Sequence, residues 1–281
     1  MMGGAVLALL ASMFLGVSDF LGGTLSRKVT LITVLLLSQI VATIAILPRM
    51  LWESPLDNWQ PALFWGVVGG VATAVAVSSL FKALAIGTMG VVAPITSLSL
   101  LVPVIVGLVG GDQLSWLLGA GLVVATIGTL LASGPEVNTH TAGHGPKPII
   151  LAVIAATGFG VANLSVALGS VSNVTTTLVS NSLTVLVIYG VAAMLLRQRP
   201  RADPKSLVGI AAIGILGFAA NLCFALASTA APLTVVAVLA SLYPVITVLL
   251  GWRILGERLQ RIQLLGVIAV FLGVAAIAAA S

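Results

Sequence analysis

Long runs almost without charge dominate this chain. From Met2 to Ser26 the one ionisable side chain is Asp19. Across all 281 residues, 59% are hydrophobic and only 7% are charged, against about 25% charged in an ordinary soluble domain. So little charge confines most of the length to a lipid bilayer. A helical span needs about 20 mostly apolar residues, and ten segments meet that requirement: 4–25, 30–51, 61–84, 90–111, 114–133, 148–170, 174–196, 206–228, 232–252 and 262–280. Backbone groups must satisfy one another in lipid, and these lengths exceed the roughly ten residues of a tilted strand. The expected fold is an all-α polytopic membrane protein with ten transmembrane helices.

The first span lacks a cationic leader and a cleavage site, so it reads as a retained helix rather than a signal peptide. Basic residues set the expected orientation. On the N-terminal side falls Arg49 alone. The other side receives Arg27, Lys28, Lys82, Lys147, Arg197, Arg199, Arg201, Lys205, Arg253, Arg258 and Arg261. That side should be cytoplasmic, in the inner membrane of a prokaryote, with both termini non-cytoplasmic. The net charge of +5 is spread over short loops and gathers on no face, which argues against nucleic acid. The lone Cys223 allows no disulfide.

The chain repeats itself. "GVVAPITSLSLLVPVIVGLVGGDQL" (Gly90 to Leu114) resembles "APLTVVAVLASLYPVITVLLGWRILGERL" (Ala231 to Leu259), with Pro103 over Pro244 and Gly111-Asp112 over Gly256-Glu257 after a four-residue gap. Gly121 then meets Gly266. "LGVSDF" (Leu15 to Phe20) lies over "FGVANL" (Phe159 to Leu164), so Gly16 meets Gly160, Asp19 meets Asn163, and further on Ser38 meets Ser182. Residues 1–133 and 148–281 are therefore expected to be two five-helix repeats joined by the polar linker 134–147. An odd number of spans per repeat inverts the second relative to the first. Inverted repeats place a shared cavity near the bilayer midplane, and rocking of one half on the other alternates its access.

Two five-helix repeats, the second closing in "PVITVLLGWRILGERLQRIQLLGV", resemble the EamA-type family of drug/metabolite transporters. The likeness covers nearly the whole chain and is strongest over 231–275. The first half carries Asp112-Gln113 where Glu-Arg is typical. Membership would imply a ten-helix permease, commonly an exporter of amino acids, other metabolites or toxic organic compounds.

Asp19 leads the candidate binding residues. It lies eight residues before Arg27, so roughly 12 Å inside the cationic end of its helix at 1.5 Å per residue. A mid-membrane Asp costs about 2.5–3.5 kcal/mol on insertion scales, and its short side chain cannot reach the interface. It can bind a cationic group of the substrate or exchange a proton for it. The competing reading is a static bridge to Lys82 or Arg27. Lys82 itself is a candidate for a substrate carboxylate, or a terminal cation reaching to the interface.

Among uncharged residues, Gln39, Asn163, Asn181 and Asn221 are the better cavity candidates, because an amide has both donors and acceptors to satisfy. Ser38, Ser97 and Tyr243 join them, although hydroxyls within spans often bond their own helix. Pro103 and Pro244, as repeat mates, are candidate hinges or shape elements. Glu257 and Arg258 read as an interfacial cap. His140 and His144 have i,i+4 spacing, but "THTAGHGP" argues for a linker rather than a metal site.

Phosphate-cradling, HExxH and Gly-x-Ser-x-Gly patterns are missing. The reading is thus a secondary transporter, not an enzyme, with no cofactor and with a small-molecule substrate and membrane lipid as partners. A proton or other ion is the candidate coupling species, and the oligomeric state is open. Small polar or amphipathic metabolites such as amino acids are the first expectation for the substrate, and organic cations exchanged for a proton at Asp19 the alternative.

Overall fold

A computed structural model describes residues 2–50, 59–86, 92, 95–112, 115–132, 146–198, 200–255 and 261–280. Among these no strand occurs. The helices are α1 (Met2–Leu25), α2 (Leu31–Met50), α3 (Trp59–Ile86), α4 (Leu101–Val109), α5 (Trp116–Ala132), α6 (Lys147–Ser172), α7 (Val174–Leu195), α8 (Pro204–Ala230), α9 (Leu233–Ala240), α10 (Tyr243–Leu255) and α11 (Arg261–Ala280). Among the described residues 7 stretches are long and apolar enough to cross a membrane, with α9 and α10 together forming one of them, Leu233–Ile254. Three shorter apolar helices, Ile95–Val109, Trp116–Leu131 and Arg261–Ile277, correspond to the remaining spans read from the sequence. Pro94, His140, His144, Glu257 and Arg258, and most of the expected linker, lie outside the described residues.

Local chemistry sets the helix ends. α6 and α7 are separated by Asn173 alone, whose extended backbone breaks the helix while its side chain accepts a hydrogen bond from Thr176 N at 2.8 Å. An Asn in that position satisfies an orphan N–H of the new helix. Asp203 does the same for α8, accepting from Ser206 N at 3.2 Å, with Pro204 at the first helical position. Pro there is preorganised and loses no bond.

The spans holding the proline repeat mates are each interrupted. A 3-10 turn, Leu98–Leu100, leads into α4, and Pro103 is the third residue of that helix. A turn at Ser241–Leu242 separates α9 from α10, and Pro244 is the second residue of the new helix. Proline lacks the N–H that would bond four residues back, so each break coincides with a hydrogen bond the sequence cannot make.

Helix pairing obeys a two-fold exchange. α3 packs on α6 as α1 packs on α8; α3 packs on α7 as α8 packs on α2. α4 lies on α6 and α9 with α10 on α1, while α5 pairs with α11 and α2 with α7. Each element of the first half thus meets the second half as its mate meets the first. Apolar side chains are plentiful on both sides of every contact, so close backbone approach between small residues decides the packing. A Cβ on Gly16 would lie 2.6 Å from both Ile246 Cβ and the Tyr243 carbonyl, and one on Gly160 would lie 2.9 Å from the Ser99 carbonyl. These repeat mates seat the interrupted spans of the opposite halves.

Buried apolar residues form two clusters. One, with Ala8, Ile46, Phe224 and Val235, lies toward the end of the bundle where α1 starts. The other, with Val34, Leu84, Ala152 and Ile210, lies toward the opposite end. Polar residues gather between them.

Candidate functional site

Six helices each turn one face to a cavity of about 130 Å³. α1 supplies Leu15, Ser18 and Asp19, and α2 supplies Leu35, Ser38, Gln39 and Ala42. From α3 come Thr73, Val77 and Phe81, and from α6 Phe159, Ala162, Asn163 and Val166. α7 adds Leu178, Asn181, Ser182, Val185 and Tyr189; α8 adds Ile213, Gly214, Gly217, Phe218 and Asn221. Spacings of three and four residues put each set on one side of its helix. A smaller cavity of about 40 Å³ adjoins through Leu15, Asn163 and Asn221. Ser99, Pro103, Ser241 and Tyr243 of the interrupted spans also line it.

Asp19 is 6% exposed, and among the described residues nothing donates a hydrogen bond to it. The competing static bridge to Lys82 or Arg27 is not formed. Arg27 instead donates to the Leu84 carbonyl at 3.4 Å, and Lys82 is exposed on α3. Among the described residues, no Lys, Arg or His lines either cavity. The Tyr243 hydroxyl, a neutral phenol with Thr96 and Ser99 beside it, is near enough to interact electrostatically with Asp19.

Several neighbours are committed to holding helices together. Gln39 Nε2 donates to the Ser182 carbonyl at 3.1 Å and to Ser182 Oγ at 2.8 Å, and Thr43 Oγ1 is 2.9 Å from the same hydroxyl. This ties α2 to α7 across the repeats. Tyr189 donates to the Ala74 carbonyl at 3.2 Å, and Ser18 to the Ile213 carbonyl at 3.3 Å. Ser38 and Asn221 bond their own helices, to Leu35 and Gly217. Asn181 Nδ2 is buried and unpartnered.

The sequence candidates therefore separate. Asp19, Gln39, Ser38, Asn163, Asn181 and Asn221 meet at the larger cavity, and Tyr243 and Pro103 at the smaller one. Ser97 and Lys82 line neither; Ser97 is buried and engaged elsewhere, and Lys82 carries its charge away from the interior. Pro244 is buried beside Tyr243. Ser18, Thr73, Tyr189 and the rings of Phe81, Phe159 and Phe218 complete the site without having been singled out. Their signal was helical phase: Tyr189 falls eight residues, about two turns, after Asn181. Among the described residues no three His, Cys, Asp or Glu gather as metal ligands.

Apolar helices of membrane-crossing length, arranged as two exchanged halves around a cavity of mixed polar and apolar lining, define a polytopic helical membrane protein. The sequence matches the EamA-like transporter family twice, over residues 2–134 and 146–279, and the chain belongs to that family, of the drug/metabolite-transporter type. A comparison with curated proteins finds no match. The fold is shared with 24 solved chains; one crystal structure has a TM-score of 0.75 at 16% identity, covering 97% of this chain and 96% of its own.

Proposed function

We propose that the protein is a secondary transporter, working as an exporter, that carries small polar or amphipathic organic metabolites by alternating access of the central cavity. Amino acids and amines both fall in this class of size and polarity. The observation that carries the reading is Asp19, a deeply buried carboxylate without a partner among the described residues, in a cavity built from both halves. A mid-membrane acid kept at such expense is a functional group by default. Halves 1–133 and 148–281 would rock about the cavity, with the interruptions before Pro103 and Pro244 as the places where the spans flex. In a prokaryotic inner membrane, the excess of basic residues on one side favours termini and Arg49 outside and the linker in the cytoplasm.

A gradient must supply the energy, and Asp19 offers a place for a proton to exchange with substrate. Tyr243 and Tyr189 are the other titratable groups at the cavities. The reading is tested by thermal shift on the purified protein with a broad metabolite panel, since ligands that bind the folded state raise its melting temperature by mass action. Hits are then followed by counterflow in proteoliposomes. Binding and counterflow by members of the panel support it; folded protein that moves none of them contradicts it.

A further inference from the structure

We infer that the cavity selects small monocationic amines over the corresponding amino acids, with Asp19 as the counter-charge. The inference rests on the transport reading and narrows it. Asp19 is 6% exposed, lines the cavity and has no donor or cation beside it among the described residues. A carboxylate held in such surroundings is best matched by a positive group that enters the site with it. The two cations weighed as its partners are elsewhere: Arg27 bonds the Leu84 carbonyl, and Lys82 is exposed.

The same inventory disfavours a zwitterion. An amino acid would bring a second carboxylate into a cavity that, among the described residues, neither Lys, Arg nor His lines. Among the described residues its negative group would meet only neutral donors, Asn181 Nδ2 being free while Gln39 is held by Ser182 and Asn221 by Gly217. It would also lie close to Asp19, and like charges in a poorly solvated site repel strongly. An amine without that carboxylate leaves the occupied site neutral.

Three rings, Phe81, Phe159 and Phe218, line the cavity along with Asp19. Aromatic faces attract ammonium groups and seat an apolar body. Asn181 Nδ2, buried and unpartnered, would meet a hydroxyl or carbonyl substituent. The fitting ligand is thus a compact primary amine with an apolar or aromatic body, with or without a neutral polar substituent.

Decarboxylation pairs isolate the charge: ethylamine with alanine, 3-methylbutylamine with leucine, and phenethylamine with phenylalanine. Isothermal titration on the full-length protein in detergent measures binding, and proteoliposome counterflow measures movement. 2-Phenylethanol serves as the uncharged analogue, and the unliganded melting temperature checks the fold of Asp19→Asn and Asp19→Glu. The expected result is at least about tenfold tighter binding of the preferred amine than of its amino acid or alcohol, a gap of about 1.4 kcal/mol. Asp19→Glu retains that preference, and Asp19→Asn loses it. Equal or tighter binding of the amino acid or alcohol overturns the inference, as does undiminished preference in Asp19→Asn. Should the asparagine variant fail to fold, the wild-type pairs alone decide. Counterflow of amino acids without amine preference sinks the inference and leaves transport standing; no counterflow of any pair or of the metabolite panel sinks both.

Discussion

The carboxylate of Asp112 accepts two hydrogen bonds from Thr234, from its backbone N at 2.9 Å and its Oγ1 at 2.8 Å. Thr234 is the second residue of α9, and Pro232 before it supplies no side-chain cap. An acid from the first half therefore caps a helix of the second, where free N–H groups and the helix dipole favour negative charge. Gly111 makes the reach possible. Its φ of 99° lies in the region only glycine enters freely, and Asp112 N bonds back to the Gly107 carbonyl at 3.0 Å, closing α4 in a Schellman turn.

Loss of this cap should be visible in stability. Asp112→Ala is expected to cost about 1–2 kcal/mol, measured by equilibrium unfolding in detergent. Asp112→Asn should cost less, because its amide oxygen still accepts. Combined with Thr234→Ala, the losses should fall short of additive, since both changes remove the same contact. Full additivity would show that the two residues do not depend on each other.

Gly16 makes a different kind of contact between the halves. A methyl there would press on Ile246 and the Tyr243 carbonyl, and a backbone oxygen cannot swing aside as a side chain does. Gly16→Ala should destabilise by about 1–3 kcal/mol, with Gly16→Val worse. Its repeat mate Gly160 faces Val102 and the Ser99 carbonyl and should behave alike. Unchanged unfolding of Gly16→Ala would mean that α10 is free to shift away.

The exposed end of α8 offers a pH test. Hydrogen bonds from Ser206 to Asp203, side chain first and backbone next, hold this carboxyl below the ordinary Asp range. A depressed folded-state value means the stabilisation is complete above the unfolded value, about 3.9, and is lost as pH falls through the folded one. Asp203→Asn keeps a cap but cannot titrate. The melting-temperature difference between the native protein and Asp203→Asn should therefore be constant near neutrality and change below about pH 4. A difference flat through the acid range would contradict it.

Much of this was legible from residue order. Near-absence of charge located the spans, and the exchange of Gly16 for Gly160 and of Asp19 for Asn163 pointed to two halves facing one cavity. Hydropathy could not register the interruptions before Pro103 and Pro244, because a break in an apolar helix leaves it apolar. Lys82 had two readings for a physical reason: a long cation late in a span can point inward or outward, and only the phase of α3 decides. Asp112 was legible as a departure from the family pattern, but not as a cap. Its partner Thr234 is 122 positions away in sequence, and a tertiary contact of that kind leaves no local signal.

Asp19 remains the residue on which the account turns, and counterflow in proteoliposomes tests it most directly, because exchange of labelled for unlabelled substrate needs no imposed gradient. The substrate used is the tightest binder from the metabolite panel and the amine series. The account predicts that Asp19→Asn, folded by its melting temperature, loses counterflow by about tenfold or more, while Lys82→Gln exchanges at the native rate. Native-rate exchange by Asp19→Asn would contradict the assignment of this cavity as the transport site.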